Sequence, residues 1–168
     1  MVDINSIWMD FIKGLNTKYP NYTYLKANLK GNLPPYPYVT IDCLTAYKQD
    51  MDMIGGTKTI QTENGVTSKV VTEQPKMIFS FQAYSNSISQ CLQVLKDTID
   101  WIKVTNKQYL RNCGIVVVKV GDTGNRSSFL ETDYQYCWGF DVTIRALDSV
   151  SVEITPIQSV EINGQEIT

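Results

Sequence analysis

Three groups of residues have side chains able to do chemistry. The stretch Gly121–Ser128 (GDTGNRSS) holds two glycines and an arginine, the makings of a loop whose backbone amides cradle a phosphate. It lacks the G-x-x-x-x-G-K-[ST] spacing and the lysine that reaches the phosphates, so the plainer, second reading is a turn between antiparallel strands. On that second reading Arg126 sits at a loop tip, where its planar guanidinium can pair with a partner's carboxylate through two parallel hydrogen bonds. Asp97, Asp100 and Glu131 are carboxylates in search of a catalytic role. Nothing in the sequence orients them, and a solvated helix face is the plainer reading. Cys43, Cys91, Cys113 and Cys137 are scattered, with no C-x-x-C pair. They are expected to be reduced core thiols of a protein made in the cytoplasm, because free cysteine packs as a small apolar residue.

What is missing narrows the field further. The chain has no histidine, which removes Ser-His-Asp and Cys-His nucleophiles and His-containing zinc sites together. No catalytic residue, metal ligand or cofactor is therefore assigned, and a non-enzymatic function is expected. Seventeen acidic side chains against 15 basic ones, and an isoelectric point near 5.1, disfavour a nucleic-acid-binding module. Ten tyrosines suit sheets and protein interfaces. Stacking on single-stranded nucleic acid would need a basic groove as well. No stretch approaches the ~18 apolar residues of a membrane span, and MVDINSIWMDFIKG has an acidic third residue and no small-residue cleavage site, unlike a secretory signal.

The elements that must position these residues are organised around Gln74–Lys103. From Met77 to Tyr84, MIFSFQAY sets Phe79, Phe81 and Ala83 on one side and Ser80, Gln82 and Tyr84 on the other, the period of a half-buried strand. Ser85, Ser87 and Ser89 can cap a following helix. Ile88, Leu92, Leu95, Ile99 and Ile102 then mark one apolar stripe along it. Upstream, Asp3–Lys18 reads as a helix with Ile4, Ile7, Trp8, Phe11, Ile12 and Leu15 on one face and Pro20 as its stop. Leu33–Pro37 (LPPYP) is rigid and extended, and Tyr38–Ala46 follows as a strand with Val39, Ile41 and Cys43 on one face.

Downstream, Ile115–Val120 (IVVVKV) is a continuous apolar run, expected to be covered on both faces. Leu130–Leu147 alternates most cleanly. Tyr134, Tyr136, Trp138, Phe140, Val142, Ile144 and Ala146 share one face, with Gln135, Cys137, Gly139, Asp141, Thr143 and Arg145 on the other. The polar face is left for solvent or a partner. Between strands lies an insertion, about 57–73: TKTIQTE and VTSKVVTE flank Asn64-Gly65, the strongest short hairpin signal. A two-stranded hairpin is marginal alone. It is either a solvated loop or an arm completed by a neighbouring subunit, since Ile60, Val66, Val70 and Val71 are hard to place otherwise. The tail SVEITPIQSVEINGQEI alternates again, with a second Asn-Gly at Asn163-Gly164, and is expected to extend the sheet or reach another chain.

At 168 residues one domain is the default, burying roughly 70% of its unfolded surface. The expected fold is α+β: a mixed, mainly antiparallel sheet covered on one face by two helices, with a hairpin insertion and a β tail. The main domain spans residues 1–148 and the β-rich tail 149–168.

The order and wording of IFSFQAYS, LKDTIDWI, and YL followed by IVVVKVGDTGNRSSFLETDYQYCWGFDVTIRA, over roughly residues 33–147, resemble tailed-phage neck or tail terminator proteins. These are related in fold to the lambda-type tail terminator. The resemblance implies a homo-hexameric ring that caps the tail tube, stops its polymerisation and offers a docking face to the head connector. Its partners would be its own copies, the tail tube protein, and the sheath protein or head–tail connector, with DNA passing through the ring. Similar proteins form the collar of contractile, phage-tail-like bacteriocins. A head–tail connector component is the nearest alternative. Contacts are expected on Gln135, Asp141, Thr143 and Arg145, on the Arg126 loop, and on the hairpin at Ile60, Val66, Val70 and Val71.

Overall fold

Asp3 starts the first helix by accepting a hydrogen bond from the Asn5 amide, and α1 runs Ile4–Lys18. Its inward stripe seats Phe11 between Phe79 and Phe81, with ring centroids 5.7 and 5.5 Å away. The computed structural model describes residues 2–28, 31–48, 56–63, 65–130, 133–154, 160–162 and 165–167. Asn64, Glu131, Asn163 and Gly164 lie outside them.

The main sheet has the order β1-β2-β5-β9-β6, formed by Thr23–Lys26, Tyr38–Lys48, Lys76–Ser85, Asp133–Ala146 and Ile115–Val120. The short strands β7 (Gly124–Asn125) and β8 (Ser128–Leu130) also pair with β9. Only β1 runs parallel to its neighbour; the other pairings are antiparallel. The fold is α+β, with the expected mixed and mainly antiparallel sheet. Helix α2 (Ile88–Asp100), capped by the Ser87 side chain on the Gln90 amide, carries the chain from β5 towards β6. The long strand β9 then returns between those two strands. Its even-numbered residues Phe140, Val142, Ile144 and Ala146 are buried beneath the helices. Phe140 lies directly across from Phe81, with parallel rings 5.3 Å apart. Each such aromatic contributes about 1.5–3 kcal/mol through burial alone.

Two apolar stripes differ from expectation. The buried residues of α2 are Cys91, Val94, Leu95 and Thr98, while Ile88 and Leu92 are 45% and 40% exposed. The helix is turned because Thr98 can enter the core: its hydroxyl donates to the Val94 carbonyl (2.7 Å) and meets the Tyr24 hydroxyl (2.9 Å). A π-helical turn, Trp101–Thr105, then keeps both Trp101 and Ile102 inside, before the short α3 (Lys107–Asn112). The second correction concerns β6. It is an edge strand, with Val116 and Val118 about half exposed, and is not covered on both faces.

The hairpin insertion is a true pair of strands, β3 (Thr57–Glu63) and β4 (Val66–Glu73), but it is not alone. β10 (Asp148–Glu153), continuing from β9 after a single residue, pairs along β4 and makes a separate sheet of order β10-β4-β3. The third strand that a marginal hairpin requires comes from its own chain. β11 (Val160–Ile162) and β12 (Gln165–Ile167) form a further small hairpin. All four cysteines are free thiols, with Cys91 and Cys137 buried.

Candidate interaction surface

The face of the main sheet away from the helices is built by odd residues of β9 and even residues of β2 and β5. Arg126 lies across it. Its guanidinium donates to the buried Ser80 hydroxyl (2.6 Å) and to the Asp141 carboxylate (2.9 Å). The absence of a side chain at Gly139 makes the room: a Cβ there would stand 3.1 Å from the Arg126 Nη1 and 2.7 Å from the Phe81 carbonyl oxygen. Ser127 reinforces the strap, donating to the Cys137 carbonyl (3.2 Å) and accepting from the Cys137 amide (3.0 Å). The loop 121–127 is thereby fastened to the sheet. Two of the expected contact residues, Arg126 and Asp141, hold each other.

Beside the strap, Tyr36, Tyr38 and Tyr84 stack in a row, with centroids 5.5 and 4.9 Å apart. Gln135 donates to the Tyr36 hydroxyl (3.0 Å), and the Tyr84 hydroxyl donates to Gln82 (2.8 Å). Burial pushes the Tyr84 phenol up to about 12. Tyr38 and Tyr84 wall a groove of ≈ 530 Å³ that also includes Lys26, Asn32, Thr40 and Asp42. Thr143 lies in register between Ile78 and Lys119, and Arg145 between Lys76 and Val116. The strand's polar residues thus form one continuous face, as its alternation implies.

The second sheet has two unlike faces. Strand register puts Ile60, Val71, Val150 and Val152 on one, with Lys58 and Lys69. The other carries Thr57, Thr59, Ser68, Thr72, Ser149 and Ser151, with Val66 and Val70 among them. The four hairpin residues singled out from the sequence therefore divide two and two. Ile60 is 70% exposed. Val71 and Val150 line an apolar cleft of ≈ 450 Å³ with Val2, Ile4, Ala46 and Tyr47, so this face turns towards the rest of the molecule at one end and is open at the other.

Of the three carboxylates considered for catalysis, Asp97 and Asp100 serve as ties, and Glu131 lies outside the described residues. Asp97 accepts from the Tyr22 hydroxyl and from Gln93, both at 2.9 Å. Asp100 pairs with Lys96 at 3.3 Å on an exposed helix face. Among the described residues no three of His, Cys, Asp and Glu gather as a metal site, and no helix is long and apolar enough to cross a membrane.

Sequence reasoning missed the surface made by Ile88 and Leu92, which it had placed in the core. The signal was present in Cys91, Val94 and Thr98, whose spacing describes the buried stripe as well as the larger aliphatics do. It also missed β1, and with it Asn16. The Asn16 side chain donates to the Tyr24 carbonyl (3.1 Å) and accepts from the Tyr24 amide (3.0 Å), filling the place of a further strand beside β1.

No curated protein matches the chain. A protein-family model described as "Phage neck terminator protein" matches it over residues 3–168. The chain belongs to the phage neck terminator protein family, whose members are structural components of the phage tail and neck.

Proposed function

We propose that the protein forms a closed ring of six copies that ends the tail tube and joins it to the neck. The observation that carries this reading is the exposed apolar face of the β10-β4-β3 sheet. Ile60, Val150 and Val152 are 70, 49 and 53% exposed. Register sets Lys69 between Ile60 and Val152, and exposed aliphatic side chains interleaved with lysine stems suit a protein–protein contact. A family member located in the neck must make such contacts with other tail components. A protein that stops a polymer must also leave no growing end. A head-to-tail interface satisfies that condition only when the rotation closes. Contacts to the tail tube protein, and to a sheath or connector, fall to the polar face of β9 and to the hairpin sheet. Deleting the gene tests the role: tails of uncontrolled length, restored to uniform length by the wild-type protein, are expected. Uniform tails in its absence would contradict it.

A further inference from the structure

The protein treats its sheet edges unequally. An edge strand exposes N–H and C=O groups that pair with any nearby chain, and proteins block such edges with bulges, charges or covering groups. The β1 edge is closed by the Asn16 amide, which meets both the amide and the carbonyl of Tyr24. The β6 edge is broken by a register shift between Val117 and Lys119. Among the described residues β3 has neither a covering side-chain amide nor a register shift, only the charges of Lys58 and Glu63 near its ends. Its seven residues are all exposed, and its pairing with β4 runs without a shift from Thr57 to Glu63. The opposite edge of the same small sheet, β10, is equally regular along its six residues.

We infer that the β3 edge is a strand-pairing site for β10 of a second copy, so that the small sheets join end to end around the assembly. This deepens the ring reading and rests on it. β3 and β10 both run antiparallel to β4, so they have the same direction. A copy added beside β3 with its sheet in the same sense then pairs in parallel, head to tail, as a ring requires. Through β4, Thr59 and Ser151 occupy matching positions, since both stand opposite Val70. Carried over to the junction, that register sets Ile60 beside the second copy's Val152 and keeps the apolar face continuous. Charge is balanced in this register, which places Lys58 one pleat from the second copy's Asp148 and Glu63 one pleat from its Glu153.

Engineered disulfides distinguish this junction from others. Within one chain, β3 and β10 are separated by β4, about 10 Å apart at two strand spacings, beyond the ~7 Å that a disulfide spans. Thr59→Cys/Ser151→Cys and, for a register displaced by two, Thr59→Cys/Ser149→Cys would be oxidised on purified tail tubes. Rings are imaged in the same samples, and circular dichroism confirms the fold. The inference predicts a ladder rising to six copies from a double variant without reductant, collapsing to the single chain when reduced, and none from Thr59→Cys alone. Rings without a ladder would overturn the strand pairing and leave the ring standing. Dimers from Thr59→Cys alone would show β3 pairing with itself and overturn the inference. A ladder without rings would support the pairing against the ring, and neither ladder nor rings would overturn both.

Discussion

Arg126 and Asp141 meet at 2.9 Å across the open face of the sheet, with the guanidinium lying over Gly139. This pair converts a glycine-rich loop into a strap whose position is set by β9. Both side chains are partly exposed, at 32 and 41%, so the ion pair itself contributes at most about 1 kcal/mol. The bond to the buried Ser80 hydroxyl adds to it. Arg126→Ala is expected to cost about 1–2 kcal/mol and to loosen residues 121–127, seen as faster amide exchange there. Gly139→Ala should cost at least as much, since the Phe81 carbonyl cannot retreat without breaking the sheet. Unchanged exchange in both variants would refute the strap.

Gly14 is held by a different contact. A Cβ at this position would stand 2.5 Å from Trp101 Cζ2 and 2.8 Å from Tyr109 Cε1. Alanine is the better helix former by about 1 kcal/mol, yet overpacking typically costs about 1–3 kcal/mol. Trp101 is wholly buried and has nowhere to go. Gly14→Ala should therefore lower Tm, by about 2–4 °C for each net kcal/mol lost. A raised Tm in thermal melts would show that the rings yield.

Alkaline pH should destabilise the protein through the buried Cys91 and the half-buried Tyr84. Burial, with Cys137 nearby, pushes the Cys91 thiol up to about 11 from its ordinary 9.0. Between those values the unfolded chain gives up the proton that the native state retains, so stability falls as pH rises from 9 to 11. Tyr84 adds a similar loss between 10 and about 12. Below pH 9 both contributions are fully present. Melts across this range should show a steeper decline for the wild type than for Cys91→Ala, and equal slopes would remove Cys91 from the account.

Much of this was legible in the sequence, for identifiable reasons. β5 and β9 declare themselves because a period of two separates Phe79, Phe81 and Ala83, and Phe140, Val142 and Ile144, from polar neighbours. The hairpin declares itself through Gly65 (φ +79), where a left-handed residue is needed. What failed depends on tertiary partners. Thr98 is buried only because the Tyr24 hydroxyl and the Val94 carbonyl receive it. β6 is an edge only because β9 arrives later and takes the inner position. Pairing of β10 with β4 joins residues too far apart for local pattern to connect. Of the contact residues expected, Arg126, Asp141 and Gln135 have partners in their own chain, which no spacing rule reveals.

Ile60 separates folding from assembly. It is 70% exposed on the apolar face of the small sheet, so Ile60→Asp should change the protomer's stability by no more than about 0.5 kcal/mol. Neck assembly should fail, because the aliphatic contact is lost and a carboxylate must be desolvated in its place, even with Lys69 across from it. A large drop in Tm would place Ile60 in the fold, and normal particles would take it out of the interface.

The ring at the tube's end is tested most directly by reconstructing the neck of the assembled tail without imposed symmetry, at a resolution that traces this chain. The account predicts six copies closed around the tube end, with the β10-β4-β3 sheets at the contacts between neighbours. A single copy, a twofold pair, or an open spiral would contradict it.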